Sequence, residues 1–316
     1  SRSTKDRMQT ADNLSISLGS ETQLDKWLIS TNLGYSAAAE ETENGVDGVW
    51  VAEFETDDGI IGADQPVLTL NRSNVQIPVV ESAFWSALSD GSLYELDEIE
   101  TYYEKNEDEQ LSFQFDVERD TDFGNLKFGV KSRMREKSVR EVVDLYSGDG
   151  TWFLSDVPFP NGGASFGFPT PVDPVPNLAG TRDILAGGVG LEYEDLDSQI
   201  DSNVANFTYQ EDVMAAYGMG TWETDRLTVT AGVRVEWTDT DNAGNEVEFL
   251  EEGEIVNGVP LADDTVFVTP VQQSDSYSDI LPSANLRFNF TENVIGRASV
   301  HKSVVRPGVE FVAFRV

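Results

Sequence analysis

One stretch of strict two-residue alternation constrains the fold of this chain more than any other feature. Between Arg226 and Thr238, apolar side chains occupy every second position for about six repeats. They are Leu227, Val229, Ala231, Val233, Val235 and Trp237. Because side chains along a β-strand point alternately to its two faces, the pattern predicts a strand with one apolar and one polar face. This strand exceeds the usual length of about 5–6 residues and reaches the roughly 9–11 residues that cross a bilayer at a tilt.

The alternation recurs along the chain in pairs of strands joined by short turns. Predicted turns lie near 20–25, 120–124, 223–225 and 291–293, which gives eight strands in four hairpins. Long segments at 37–109, 137–208 and 239–275 separate the hairpins, whereas connections in compact soluble domains have a median of about 4–6 residues. Short turns at one end and long loops at the other are typical of outer-membrane barrels. The sequence therefore predicts an all-β fold, an antiparallel transmembrane β-barrel segment with long extracellular loops.

The residue composition narrows the chemistry that the chain can support. It has no cysteine, which excludes disulfides, thiolate nucleophiles and cysteine-bound metals, and its single histidine is His301. His301 lies on an alternating strand, where a position in the barrel wall is the simpler interpretation. The chain has so many Asp and Glu residues that their number alone does not exclude a pair of catalytic carboxylates of the glycosidase type. None of them, however, lies in a recognisable catalytic motif. The acidic run 239–246 lacks the ligand spacing of a calcium loop. We predict no enzyme activity, no cofactor and no metal site.

The net charge of −36 is concentrated in the long segments. Residues 37–109 contain 19 acidic residues and two basic ones, and residues 239–275 contain ten acidic residues and no basic one. A solvated acidic surface is the simplest interpretation, and weak binding of divalent cations or repulsion of anions are alternatives. Nucleic acid is disfavoured as a partner because phosphate binding requires Lys and Arg.

The two ends of the chain resemble cut points. Residues 1–5 lack the apolar core of a signal peptide, and no closing strand is evident over 309–316. We therefore expect residues 1–316 to be part of a longer protein.

Two stretches near the C-terminal end resemble barrel hairpins of TonB-dependent outer-membrane receptors. One is the sequence YGMGTWETDRLTVTAGVRVE at 217–236. The other begins with YSDILPSANLRF at 277–288 and continues to SVVRP at 303–307. The likeness is closest to the branch found in Caulobacter- and Xanthomonas-like bacteria. Its motifs cover residues 209–307, whereas the first two hairpins match the family only in their pattern of short turns and long loops.

The resemblance implies a partial receptor barrel over 1–316. The parent barrel would have about 22 strands around a plugged lumen, with the plug domain and the final strands lying outside this chain. It would reside in the Gram-negative outer membrane, surrounded by lipid. It would bind a small nutrient ligand and import it when a TonB-type energising protein acts on the plug. Arg234, Arg287 and Arg297 fall on the polar faces of their strands and would point into the lumen.

Aromatic residues of the long segments are the candidate ligand contacts, since aromatic faces stack on sugar rings or flat chelates. The candidates are Trp85, Trp152, Phe153 and Tyr102. The alternative for any one ring is packing within its own loop or a place in the interfacial aromatic belt. Acidic loops repel anionic ferric siderophores, which favours a neutral oligosaccharide as the nutrient. A second possibility for the whole chain is a complete eight-stranded barrel with a structural or adhesive role.

Overall fold

A computed structural model describes residues 1–53, 69–73, 79–82, 85–157, 174–306 and 308. Eight long strands form one antiparallel sheet. They are β1 (Arg2–Leu24), β2 (Trp27–Val51), β5 (Glu95–Thr121), β6 (Gly124–Gly148), β8 (Phe207–Glu223), β9 (Leu227–Leu250), β12 (Thr265–Thr291) and β13 (Val294–His301), and they are hydrogen-bonded neighbours in that order. The prediction of eight strands in four hairpins is confirmed. Within the described ranges β1 and β13 are the two ends of this order and do not pair with each other.

Shorter elements lie between the hairpins. The short strands are β3 (Thr69–Asn71), β4 (Val79–Glu81), β7 (Leu191–Tyr193), β10 (Ile255–Val256) and β11 (Val259–Pro260). The helices are α1 (Trp85–Leu88), a 3₁₀ turn (Gly91–Leu93), α2 (Leu178–Gly187) and α3 (Asp195–Val204). None of the helices in the described ranges has the length and apolar character of a membrane span.

The boundaries predicted for the long loops were wrong, because the strands run much further than their alternating cores. The β9–β12 ladder extends from Leu227 opposite Phe288 to Leu250 opposite Thr265. Similarly, β2 continues to Val51 and β5 starts at Glu95. Strand pairing requires only backbone hydrogen bonds, so a ladder can continue where both faces are polar and the sequence shows no alternation.

The chain divides into two compact units. Unit 1 comprises Ser1–Gln9, Thr42–Glu104 and Glu141–Ser202, and it has its own apolar core. The core residues are Val46, Trp50, Tyr94, Leu96, Ile99, Leu154 and Ile184. Trp50, Ile99 and Leu154 are completely buried. Segments predicted to be long extracellular loops therefore contribute to a packed structure.

Unit 2 comprises Thr10–Glu41, Lys105–Arg140 and Asn203–Val316, and its sheet has two unlike faces. Val233, Trp237 and Ile280 project from one face and are exposed, although they are large and apolar. Glu236 and Thr238, on the other face of β9, are buried. The two-faced strand predicted at 226–238 is confirmed within β9. An exposed apolar face opposite a buried polar one is the arrangement expected where lipid covers the outside of a sheet.

We expect Trp50→Ala to loosen unit 1 selectively. Truncating a buried Trp typically costs about 3–5 kcal/mol, through lost apolar burial and the cavity that remains. Hydrogen exchange by mass spectrometry on the full-length protein should show faster exchange at 94–99, 152–154 and 178–187. Leu178→Ala, at a half-exposed position on α2, is the control and should leave these segments protected. Unchanged exchange in Trp50→Ala would show that this core does not hold unit 1 together.

Candidate ligand-binding surface and charged sheet face

Tyr102 and Trp152, two of the predicted ligand contacts, pack within unit 1. Tyr102 is buried with Val143 and Leu145. Lys5 Nζ lies 5.3 Å from the centre of its ring, and a Cβ at Gly45 would be 2.4 Å from Tyr102 Cζ. The absence of a side chain at Gly45 therefore makes space for the ring. Trp152 packs against the apolar core, and its Nε1 donates a hydrogen bond to Val189 O at 2.7 Å.

Phe153 and Trp85 occupy local structure of different kinds. Phe153 forms an isolated antiparallel bridge with Glu95, and its backbone N donates to Asp156 Oδ2 at 2.9 Å. Trp85 is the first residue of α1, and its side chain lies outside the described part of the structure. Ligand contact by Trp85, Trp152, Phe153 and Tyr102 stays a prediction.

A groove of about 320 Å³ lies on the surface of unit 1. It is lined by Glu43, Asn44, Thr101, Tyr102, Tyr103, Val142 and Asp144. Strands β2, β5 and β6 thus supply carboxylates, an amide, a hydroxyl and aromatic groups to one concave surface. These are hydrogen-bonding and stacking groups of the kinds that bind small polar ligands.

An aromatic pair, exposed at Tyr193 and half-buried at Tyr146, adjoins this groove through Asp144. Tyr193, on β7, donates its hydroxyl to Asp144 Oδ1 at 3.2 Å. The ring centres of Tyr193 and Tyr146 are 5.4 Å apart, with the planes tilted by 51°. Tyr193 is 47% exposed, so part of an ordered ring is open to solvent beside a carboxylate.

Asn44 is held in an unusual backbone conformation within β2. Its φ of 54° is in the left-handed region, which Asn tolerates better than most residues. Arg182 of α2 donates to Asn44 O at 2.9 Å and to Asp6 Oδ2 at 2.6 Å. The guanidinium therefore ties α2 to β1 and β2 and stabilises the backbone at one wall of the groove.

Carboxylates elsewhere on unit 1 lie in a strongly acidic environment. Burial raises the pKa of Glu98, and the nearby charges of Asp97, Asp201 and Asp197 raise it further. Burial and then the charge of Asp47 likewise raise the pKa of Glu100. These two residues lie near the start of β5, at the end furthest from its hairpin turn. Such an environment disfavours the approach of an anion.

The polar face of unit 2 carries a chain of ion pairs centred on Arg306. Its Nη2 donates to Glu236 Oε2 at 2.7 Å and to Thr238 Oγ1 at 3.0 Å, and its Nε lies 3.5 Å from Glu211 Oε2. Arg133 also pairs with Glu211, and Arg234 Nε also pairs with Glu236 at 2.6 Å. Both carboxylates are buried, and each is held by two arginines. The prediction that Arg234 belongs to the polar face is confirmed.

Further pairs on this face connect β5, β6 and β8. Tyr217 donates its hydroxyl to Asp116, which also lies 3.6 Å from Lys127 Nζ. Arg135 Nε donates to Asp108 Oδ1 at 3.0 Å. Buried polar groups are retained when their partners satisfy them, so the network fixes the register of the sheet at these positions. The described residues hold no group of three or more ligating side chains suited to a metal ion.

The two faces of the sheet indicate the class of protein. An antiparallel sheet with an exposed apolar face and a charged opposite face is the wall of a transmembrane β-barrel. The family model described as TonB dependent receptor-like, beta-barrel, matches residues 5–314. The chain therefore belongs to the TonB-dependent receptor β-barrel family.

One solved structure similar to this chain is the ferric-catecholate import receptor Fiu from E. coli K12 in its open form. The TM-score is 0.41 and the sequence identity 12%, over 93% of this chain and 35% of that one. The chain thus spans about a third of that receptor's length. Comparison with curated proteins gives no match.

Asp144, Tyr193 and Asn44 were not among the predicted contacts. The signal for Tyr193 was an aromatic residue between Glu192 and Glu194, a pattern that predicts an exposed ring in an acidic setting. No local pattern places Asp144 beside Tyr193, because 49 residues of sequence separate them.

We expect Arg306→Met to destabilise the full-length protein by about 1–3 kcal/mol. The substitution leaves the buried Glu211 and Glu236 with one partner each, and under-satisfied buried carboxylates are costly. Thermal unfolding in detergent, followed by circular dichroism, measures the change. Lys302→Met is the matched control, since its pair with Asp279 is exposed and should contribute at most about 1 kcal/mol. Equal effects of the two substitutions would contradict a stabilising role for the Arg306 network.

Proposed function

We propose that this chain is part of an outer-membrane receptor that binds a nutrient outside the cell and imports it with energy from a TonB-type partner. Membership of the receptor family over residues 5–314 is the observation that carries the proposal. The exposed apolar face of unit 2 supports contact with outer-membrane lipid. The partner would act through a plug region outside these 316 residues. The role is uptake and not catalysis.

We infer that the nutrient is an oligosaccharide. The groove of unit 1 offers Asn44, Thr101 and Asp144 as hydrogen-bonding groups. Carboxylates and amides bind sugar hydroxyls, and the exposed part of the Tyr193 ring gives an apolar surface on which a sugar ring can stack. Tyr193 and Asp144 are already linked by a hydrogen bond, so these two side chains are ordered before the ligand binds.

Charge is the argument against a ferric siderophore as the principal ligand. Glu43 and Asp144 line the groove, and burial within acidic surroundings raises the pKa of Glu98 and Glu100 on the same unit. An anionic ferric chelate would enter a field of like charge, whereas a neutral saccharide incurs no such penalty.

A direct test is binding of the purified full-length protein to an oligosaccharide panel and to ferric catecholate complexes, measured by isothermal titration calorimetry. We expect saturable saccharide binding that weakens up to about tenfold in Tyr193→Ala, through the loss of aromatic stacking. Phe123→Ala removes an exposed ring at a hairpin turn and should leave the affinity unchanged. Tight binding of a ferric catecholate with no saccharide binding would refute the saccharide proposal.

A further inference from the structure

Two arginines lie directly opposite each other on the polar face of unit 2. Arg287 of β12 is the register partner of Arg297 of β13. Arg287 is also opposite Thr228 of β9. Two residues before it on β12, Asn285 is opposite Ser299 of β13 and Thr230 of β9, so all of these residues share one face. The face therefore presents two guanidinium groups surrounded by uncharged hydrogen-bonding side chains.

Five other cations of the same face form ion pairs, whereas in the described part of the chain this pair does not. Lys127, Arg133, Arg135, Arg234 and Arg306 each have a carboxylate partner. Arg287 and Arg297 have none among the residues that the structure describes. Glu223, which lies opposite Thr228 on β8, is not within ion-pair distance of either arginine. Like charges placed directly opposite in an antiparallel pair repel and destabilise the sheet.

The two arginines line a groove of about 300 Å³ together with Asn285, Ser299, Thr228 and Thr230. Hydroxyl and amide groups donate hydrogen bonds, and a guanidinium binds a carboxylate or phosphate through two parallel N–H donors. Thr230 keeps a hydrogen bond to Thr221 at 3.2 Å, which fixes its hydroxyl at the wall of the groove. Leu286 and Ala298 complete the lining, so both charged groups of the groove are positive and its polar groups can all donate.

We propose that Arg287 and Arg297 form an oxyanion-binding site that takes a carboxylate or phosphate group. The bound group offsets the repulsion between the arginines and accepts hydrogen bonds from the surrounding side chains. Its source is either a soluble anion or a carboxylate from another segment of the same protein. The site lies on a different unit from the groove proposed for the saccharide, and it does not depend on which nutrient is imported.

The first test is titration of the full-length protein, in detergent and phosphate-free buffer, with inorganic phosphate. If the oxyanion is soluble, phosphate binds saturably, and Arg287→Gln and Arg297→Gln each weaken binding by about tenfold, as expected for the loss of a charge-assisted hydrogen bond. Arg140→Gln is the matched control, because Arg140 is exposed on the opposite face of the sheet. It should leave phosphate binding unchanged.

The second test applies if the oxyanion is a carboxylate of the protein itself. It measures whether the arginine substitutions raise or lower the melting temperature. If a protein carboxylate fills the site, phosphate does not titrate, and Arg287→Gln and Arg297→Gln lower the melting temperature because they remove a partner of that carboxylate. If nothing fills the site, either substitution relieves repulsion and raises the melting temperature or leaves it as in Arg140→Gln.

The proposal is overturned by either of two results. One is the absence of saturable phosphate binding combined with melting temperatures equal to or above that of Arg140→Gln. The other is phosphate binding that Arg287→Gln and Arg297→Gln leave intact.

Discussion

The structure depends on a backbone ladder that joins eight antiparallel strands in sequence order. In a bilayer an unpaired N–H or C=O is very unfavourable, so strands can cross only when each pairs with its neighbours. The ladder between β9 and β12 continues without a break from Leu227 to Leu250. With the backbone satisfied by pairing, the two-residue period decides which side chains face lipid and which face the polar interior.

The charged face of unit 2 follows from that geometry. Register brings the odd residues of β8 next to the even residues of β9, which places Glu211 and Glu236 within reach of Arg306. Each buried carboxylate has two guanidinium partners, so little charge is left uncompensated. Arg287 and Arg297 lie directly opposite each other with no carboxylate partner among the described residues, and that juxtaposition is the basis for proposing a bound oxyanion.

Local patterns predicted the hairpins and the class of protein but not the groove. Alternation at 226–238 and turn residues near 291–293 are short-range signals, and the structure confirms both. The core around Trp50 depends on Leu154 and Ile184, which lie more than 100 residues further along the chain. No local sequence pattern predicts packing between residues so far apart. Strand extensions were missed because polar side chains on both faces hide the period. The pairing of Tyr193 with Asp144 is likewise a product of tertiary structure.

If the sheet spans a membrane, one face of β9 contacts lipid and the other does not. The chain has no cysteine, so single cysteines can be introduced from Val229 to Trp237 in the full-length protein and labelled with a fluorophore in lipid vesicles. A quencher confined to the lipid phase should act strongly at 229, 231, 233, 235 and 237 and weakly at the positions between them. Quenching without alternation, or none at any position, would contradict a membrane-spanning sheet.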